Sequence, residues 1–233
     1  RGAALSRLPR AQTRLAAKML LHQARGVLAD ALGAVRHELV ACRTLPSPTS
    51  IPTAAGRALE MLRGLVATAP LGTALVDPPK VLIAGPQNVG KSTLLNALLH
   101  RERVIVHPHP GTTRDVVRET VSIRGVPFEL MDSAGIRHGG DELEQQAIKR
   151  TTDLLAQCDV LLLVYDVRQP VAEALRQMPP LDSRTRTLVI GNKIDLCPRL
   201  PEARSHIFIS AREGRNLSHV EVALVHSPSL THH

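Results

Sequence analysis

The stretch Gly85-Pro86-Gln87-Asn88-Val89-Gly90-Lys91-Ser92 fits the pattern G-x-x-x-x-G-K-[ST], which is the strongest indication of fold in this chain. It follows an apolar run over residues 81–84 and precedes a helical pattern over residues 93–100, which is the setting that the pattern requires. There the loop amides and the helix N-terminus bind phosphate, Lys91 reaches the outer phosphates, and Ser92 offers a hydroxyl to Mg²⁺. The predicted phosphate site consists of Gly85, Asn88, Val89, Gly90, Lys91, Ser92 and Thr93.

Short aliphatic runs alternate with helical stretches from residue 80 onward, which is typical of βα units around a mostly parallel sheet. A looser alternation over residues 116–123 predicts an antiparallel edge strand. The predicted fold class is therefore α/β, a P-loop domain with a mixed, mostly parallel sheet, preceded by a small α-helical segment. The runs expected to form the other strands are residues 81–84, 126–131, 159–165, 187–190 and 206–209.

The chain before residue 80 carries helical patterns instead. Apolar positions recur over residues 11–42 and predict one long amphipathic helix, with Gly26 and Gly33 as weak points. A proline-rich stretch follows and predicts a linker, since proline cannot continue a helix. A second helix is expected around residues 59–66, closed off by Pro70 and the Asp77-Pro78-Pro79 stretch. Two helices bury little apolar surface by themselves, so this pair must pack on another part of the protein.

Charge divides the chain at about the same place. Residues 1–80 hold 11 Lys and Arg against 4 Asp and Glu, a net +7, and residues 81–233 hold 18 against 17, a net +1. Together these features predict a helical segment over residues 1–79, a nucleotide-binding domain over 80–226 and a tail over 227–233. A basic helical face suits either RNA phosphates or plain solvation, and the sequence leaves both open.

Aromatic residues, cysteines and apolar runs argue against several classes of protein. Phe128, Tyr165 and Phe208 are the only aromatic residues, too few for a module that binds nucleic acid by base stacking. The three cysteines lack paired spacing, which argues against a zinc site or a disulfide scaffold and predicts a cytoplasmic protein. No uninterrupted apolar run is long enough to span a bilayer, so no membrane partner is expected.

Three later motifs distinguish a GTP site from other phosphate sites. Asp132-Ser133-Ala134-Gly135 matches D-x-x-G, whose aspartate holds Mg²⁺ through water and whose glycine amide senses the γ-phosphate. Asn192-Lys193-Ile194-Asp195 provides a carboxylate that can accept the N1 and N2 hydrogens of guanine, which adenine lacks. Ser210-Ala211-Arg212 resembles the loop whose amide meets guanine O6. These motifs add Asp132, Gly135, Asn192, Lys193, Asp195, Ser210 and Ala211 to the predicted nucleotide site.

The order of these motifs resembles that of the TrmE/Era-type small GTPases. Gly111-Thr112-Thr113-Arg114-Asp115 is similar to the first switch of that group, which implies that Thr113 serves Mg²⁺ and the γ-phosphate. The chain most resembles the MnmE (TrmE) family of bacterial tRNA-modification GTPases, strongly over residues 80–212 and weakly over residues 11–66. The family's amino-terminal folate-binding domain and carboxy-terminal helical segment are not recognised in the sequence, so a truncated form is expected.

The resemblance also implies how the catalytic group is supplied. Ile136 stands where Ras-like proteins carry a water-orienting glutamine. The MnmE family uses a glutamate in a D-E-[LV]-E stretch, and Asp141-Glu142-Leu143-Glu144 puts Glu144 there, although an exposed acid that favours a helix start is the alternative. In that family the fourth loop residue, here Asn88, helps bind K⁺, and G domains pair across it. The alternative for Asn88 is a residue that merely suits the loop backbone.

The combined prediction is an enzyme that binds GTP and hydrolyses it to GDP and phosphate. Its catalytic residues would be Glu144, Lys91 and Thr113, its Mg²⁺ ligands Ser92, Thr113 and Asp132, and its K⁺ ligand Asn88. The resemblance implies a link to tRNA modification and pairing of G domains. The alternative is an Era-like switch that acts in ribosome assembly or binds RNA such as rRNA.

Overall fold

The computed structural model describes residues 2–44, 51–100, 118–132, 151–180, 185–199, 203 and 205–226. The chain divides into two compact units, with the boundary between Asp77 and Pro78. We call residues 2–77 the helical unit and residues 78–226 the sheet unit, and each is described by itself.

The helical unit begins with α1 (Gly2–Arg7) and a 3₁₀ turn (Leu8–Arg10), followed by α2 (Arg14–Ala24), α3 (Val27–Thr44) and α4 (Ile51–Val76). Thr13 caps α2 by accepting a hydrogen bond from the amide of Ala16 at 3.1 Å. The single helix predicted over residues 11–42 is wrong, because Gly26 adopts a φ of 99° and separates α2 from α3. Gly33 lies inside α3 and does not interrupt it.

Helix α4 is longer than the sequence suggests. It runs for 26 residues and passes through Pro70, which was expected to help end it. It stops at Val76, directly before the Asp77-Pro78-Pro79 stretch that was also expected to close it. A proline removes one main-chain hydrogen bond and bends a helix, a local cost that a helix of this length can bear. By length and composition alone, the 22 residues Ala55–Val76 could cross a membrane, contrary to the sequence-based expectation. Charged residues interrupt the apolar runs of this helix, so it did not stand out in the sequence. One such helix is weak evidence for a membrane, because buried core helices of soluble proteins pass the same test.

The sheet unit is built on six strands with helices between them. In chain order the elements are β1 (Lys80–Ala84), α5 (Lys91–Leu99), β2 (Arg118–Ile123), β3 (Val126–Asp132), β4 (Val160–Asp166), α6 (Val171–Arg176), β5 (Arg186–Asn192), β6 (His206–Phe208) and α7 (Leu217–Val225). The strand order is β2-β3-β1-β4-β5-β6, and β2 pairs antiparallel with β3 at the edge while the other pairs are parallel. The predicted fold class, including the antiparallel edge strand, is confirmed.

Strand β4 shows why the sheet folds this way. All seven of its residues are buried, as expected for a central parallel strand covered on both faces. One face packs against Leu154, Leu155 and Cys158, which lie in and just after a helical stretch over residues 151–155. The aromatic residues Phe128 and Tyr165 are buried in their strands as well.

Parallel pairing brings the carboxyl ends of five strands to one edge of the sheet. Ile83 of β1 lies opposite Asp132 of β3, and Asp166 of β4 lies opposite Asn192 of β5. Polar residues and glycines that end or follow separate strands are therefore neighbours, and this edge is where open α/β sheets bind ligands.

Candidate nucleotide-binding site

Two glycines allow the loop after β1 to approach its neighbours closely. Gly85 has a φ of 147°, and a Cβ atom there would overlap the carbonyl oxygen of Val164 in β4. Gly90 has a φ of 96°, and a Cβ atom there would overlap the side-chain amide of Asn192. Both positions require a residue without a side chain. The loop is thus fixed against the strand ends rather than projecting freely from the sheet.

The buried Lys91 ammonium lies across this loop. Its Nζ donates hydrogen bonds to the carbonyl oxygens of Gly85, at 3.0 Å, and Pro86, at 2.5 Å. Helix α5 begins at Lys91, so its N-terminus lies at the same loop as the ammonium. Thr93 is exposed in the first turn of this helix, and Val89 is buried in the loop. This arrangement suits an anion.

Ser92 and Asp132 come together from different elements. The Ser92 hydroxyl, in the first turn of α5, donates to Oδ2 of Asp132 at 3.2 Å, and Asp132 is buried at the end of β3. Hydroxyl and carboxylate oxygens are ligands that Mg²⁺ prefers, so the pair fits this ion. The predicted residues Thr113, Gly135 and Glu144 lie outside the described residues.

The buried Asn192 side chain ties two loops together. Its Nδ2 donates to the carbonyl of Val89 at 2.8 Å, and its Oδ1 accepts from the amide of Ala211 at 2.9 Å. Ser210-Ala211-Arg212 was predicted from resemblance to be a loop that offers a backbone amide to guanine O6, and the Ala211 amide belongs to it. In the structure the Ala211 amide donates to Asn192, so this hydrogen bond joins the loops after β5 and β6.

Asp195 presents a carboxylate beside these loops, in a short 3₁₀ turn over Ile194–Leu196. A hydrogen bond from Ser210 lowers the pKa of Asp195 against the opposing effect of desolvation, and the positive charges of Arg212 and Arg215 act in the same direction as the hydrogen bond. The carboxylate is therefore ionised at neutral pH. Its Oδ1 is buried and lacks a hydrogen-bond partner among the described residues. An ionised oxygen of this kind is suited to accept hydrogens from a ligand.

Lys193 makes contacts that were not predicted from the sequence. Its Nζ donates to the carbonyl oxygen of Asn88 at 2.5 Å and lies 3.0 Å from Oδ2 of Asp166. Arg168 also binds Asp166, through its Nε at 2.9 Å and its Nη2 at 2.6 Å. The signal for Asp166 was present in the sequence, since it ends an apolar strand just as Asp132 does.

The two cysteines of the sheet unit both hydrogen-bond to main-chain carbonyl oxygens. Burial, reinforced by the negative charge of Asp159, raises the pKa of Cys158 to about 11. Cys197 is half-buried and donates to the carbonyl of Arg199 at 2.9 Å. A thiol with the pKa of Cys158 is a poor nucleophile at neutral pH.

Known proteins resemble this chain mainly through the sheet unit. Residues 80–193 match the family model described as "50S ribosome-binding GTPase". The "tRNA modification GTPase MnmE" of Geobacter metallireducens is 36% identical over 205 residues, which cover 80% of this chain and 44% of that protein. The protein of the same name from Nitrosomonas europaea is 42% identical over 160 residues, covering 66% of this chain and 36% of that protein.

The chain matches only part of the length of these relatives. The chain spans less than half the length of the two relatives, 44% and 36%. Among solved structures, the G domain of the T. maritima FeoB iron transporter has a TM-score of 0.44 at 20% identity, over 64% of this chain and 98% of that one. This structural likeness is too weak to add to the assignment. The motif order, the sheet topology and the sequence similarity together show that the chain carries a P-loop GTPase domain and is similar to the MnmE group of TrmE/Era-like small GTPases.

Proposed function

We propose that this chain binds GTP and hydrolyses it to GDP and phosphate. The observation that carries the proposal is the meeting of four groups at the carboxyl edge of the sheet. These are the ammonium of Lys91 over its loop, the Ser92–Asp132 pair, and the buried oxygen of Asp195, which has no hydrogen-bond partner in the described part of the chain. They match the three parts of a Mg²⁺-bound nucleotide, namely phosphate, metal and base.

Guanine selectivity is assigned to Asp195. Its lowered pKa keeps the carboxylate ionised, and its free Oδ1 can accept a hydrogen from N1 or N2 of guanine. Adenine has an acceptor at N1 and no amino group at C2, so it would offer no hydrogen to this buried oxygen. Asn192 supports the base site indirectly by holding the surrounding loops.

Phosphate and metal binding are assigned to the loop after β1. Lys91 and the N-terminal amides of α5 would stabilise negative charge on the phosphates. Ser92 and Asp132 would hold Mg²⁺, directly and through water, with phosphate oxygens completing its shell. The metal supplies charge neutralisation on the phosphates, and these residues fix where that charge is placed.

The hydrolytic step rests on the resemblance to the MnmE family. We assign Thr113 to Mg²⁺ and the γ-phosphate and Glu144 to orienting the attacking water, whose oxygen replaces the bridging oxygen on the γ-phosphorus. Asn88 is the proposed K⁺ ligand. Its side chain is exposed on the loop, which is compatible with that role. Pairing of G domains across the K⁺ site belongs to the same proposal.

The biological setting that we propose is tRNA modification in the cytoplasm, since two relatives carry that activity in their names. A switch that binds rRNA or the ribosome is the second candidate, because the matching family model names the 50S ribosome. The net +7 of residues 1–80 supplies an electrostatic surface for either RNA.

Nucleotide specificity provides the decisive experiment. GTP and xanthosine triphosphate binding should be measured by calorimetry for the wild type and for Asp195→Asn. We expect the substitution to weaken GTP by about a hundredfold while xanthosine triphosphate binding improves, since the asparagine amide can donate to the second xanthine oxygen. Equal losses for both nucleotides would refute the base assignment. Phosphate release in K⁺ and in Na⁺ then tests the ion, and equal rates would refute the role of Asn88.

A further inference from the structure

Asp166 is a buried carboxylate whose two oxygens are both occupied. Its Oδ1 accepts from the backbone amide of Arg168 at 3.1 Å and from Nε of the same residue at 2.9 Å. Its Oδ2 receives Nη2 of Arg168 at 2.6 Å and Nζ of Lys193 at 3.0 Å. The side chain of Asp166 is 7% exposed, so water competes little for these contacts.

The Lys193 ammonium joins three loops through this carboxylate. Lys193 follows β5, Asp166 ends β4, and the carbonyl of Asn88 that receives the ammonium belongs to the loop after β1. The same short segment carries Asn192 and Asp195. The position of one ammonium therefore connects the proposed base-binding segment to the proposed phosphate loop.

Both residues at the ends of this connection lie in the left-handed region of the backbone, Lys193 with a φ of 70° and Asn88 with a φ of 60°. Asparagine tolerates this region, whereas it is unfavourable for lysine. Such conformations persist when the surrounding contacts over-determine them. The ammonium–carbonyl bond links Lys193 and Asn88 directly, and Asp166 is the counter-charge that keeps the ammonium in place.

Resting on the proposed function, we propose that Asp166 is a positioning residue for guanine nucleotides. It holds the Lys193 ammonium on the Asn88 carbonyl and thereby fixes the base-binding segment against the phosphate loop. The competing role is a purely structural one, in which Asp166 caps the turn after β4 by accepting the amide of Arg168. The two roles differ in whether the effect of Asp166 passes through Lys193.

Dissociation of GDP carrying a fluorescent N-methylanthraniloyl group provides the test. Asp166→Asn keeps the size of the side chain and an oxygen that can accept the Arg168 amide, but it removes the charge that pairs with Lys193. We expect GDP dissociation about tenfold faster, with the turnover number at saturating GTP unchanged within about twofold. Lys193→Met, which keeps the aliphatic stem and removes the ammonium, should give the same increase.

The double variant separates the two roles. If Asp166 acts through Lys193, the pair Asp166→Asn and Lys193→Met should dissociate GDP no faster than Lys193→Met alone. Arg168→Ala is the matched control, since it removes the other partner of Asp166 and should leave GDP dissociation unchanged within about twofold.

If the increases in the GDP dissociation rate multiplied in the double variant, the inference would be overturned. A lower melting temperature of Asp166→Asn with unchanged GDP dissociation would overturn it as well. If the wild type failed to bind GDP, the proposed function would fall and this inference with it. Binding by the wild type together with normal dissociation from Asp166→Asn would overturn the positioning role alone.

Discussion

The two units of this chain differ in how far their large apolar side chains are buried. Among the described residues, thirteen of the fifteen exposed large hydrophobic side chains belong to the helical unit. In the sheet unit, by contrast, large residues such as Leu82, Leu130, Leu162 and Ile190 have no measurable exposure. The apolar residues of an amphipathic helix predict a face that can be buried, but many of them are exposed here. The apolar runs of the central strands, by contrast, are buried as their sequence predicts.

The difference in packing explains where a site can be built. The sheet unit holds backbones so close that a Cβ atom at Gly85 or Gly90 would overlap a neighbouring group. In the helical unit, an open groove of about 370 Å³ lies between α2, α3 and α4, and a Cβ atom at Gly33 or Gly64 would meet nothing within 4 Å. Functional groups are held in a fixed geometry only where packing is as tight as it is in the sheet unit.

Truncating one leucine in each unit should give the largest contrast. Leu162→Ala removes a fully buried side chain from β4 and should lower the free energy of unfolding by about 2–5 kcal/mol, through lost burial and the cavity left behind. Leu62→Ala in α4 starts from a side chain that is 37% exposed and should cost less than about 1 kcal/mol. Urea unfolding followed by circular dichroism measures both. Similar losses would mean that α4 is covered in solution.

A matched pair of glycines should give effects of opposite sign. Gly90→Ala combines a left-handed backbone with overlap on Asn192, so it should destabilise the sheet unit by about 1–3 kcal/mol and weaken GDP binding. Gly64→Ala lies in an exposed stretch of α4 with open space around it and should stabilise the helical unit by about 0.5–1 kcal/mol. Melting curves and GDP titration provide the measurements. A neutral Gly90→Ala would show that the loop relaxes away from Asn192.

Sequence alone was sufficient where a local rule governs the outcome. The strands of the sheet unit, the antiparallel edge and the loop over residues 85–92 all follow from short runs and a motif with its own backbone requirement. Helix boundaries were less predictable, because the break at Gly26 and the passage through Pro70 depend on which contacts outweigh a small local cost.

Contacts between distant loops could not be predicted. The Asp166–Lys193–Asn88 connection spans loops far apart in the chain, and each of the three residues has an ordinary local explanation. Only the strand order places them together. The engagement of the Ala211 amide by Asn192 was missed for the same reason.

Acid should weaken the sheet unit through Asp166. Hydrogen bonds from Arg168, with a further contribution from Lys193, hold the pKa of Asp166 well below its usual range. A depressed folded-state pKa stabilises the protein above the unfolded-state value of about 4, and this stabilisation is lost as the pH falls below it. We expect the melting temperature of the sheet unit to fall between about pH 5 and pH 3, and to fall less steeply in Asp166→Asn. Parallel curves for the two proteins would contradict the assignment.

The reactivity of the Cys158 thiol probes the packing of the sheet unit without changing its stability. Burial raises its pKa to about 11, so about one molecule in a thousand carries the thiolate at pH 8, against roughly one in ten for an ordinary thiol. Iodoacetamide at pH 8 should therefore alkylate Cys158 about a hundredfold more slowly in the folded protein than in urea, as followed by peptide mass spectrometry. The half-buried Cys197 is the internal comparison. If Cys158 reacted as fast as Cys197, the face of the sheet formed with Leu154 and Leu155 would be open to solvent, and the contrast between the two units would fail where it is sharpest.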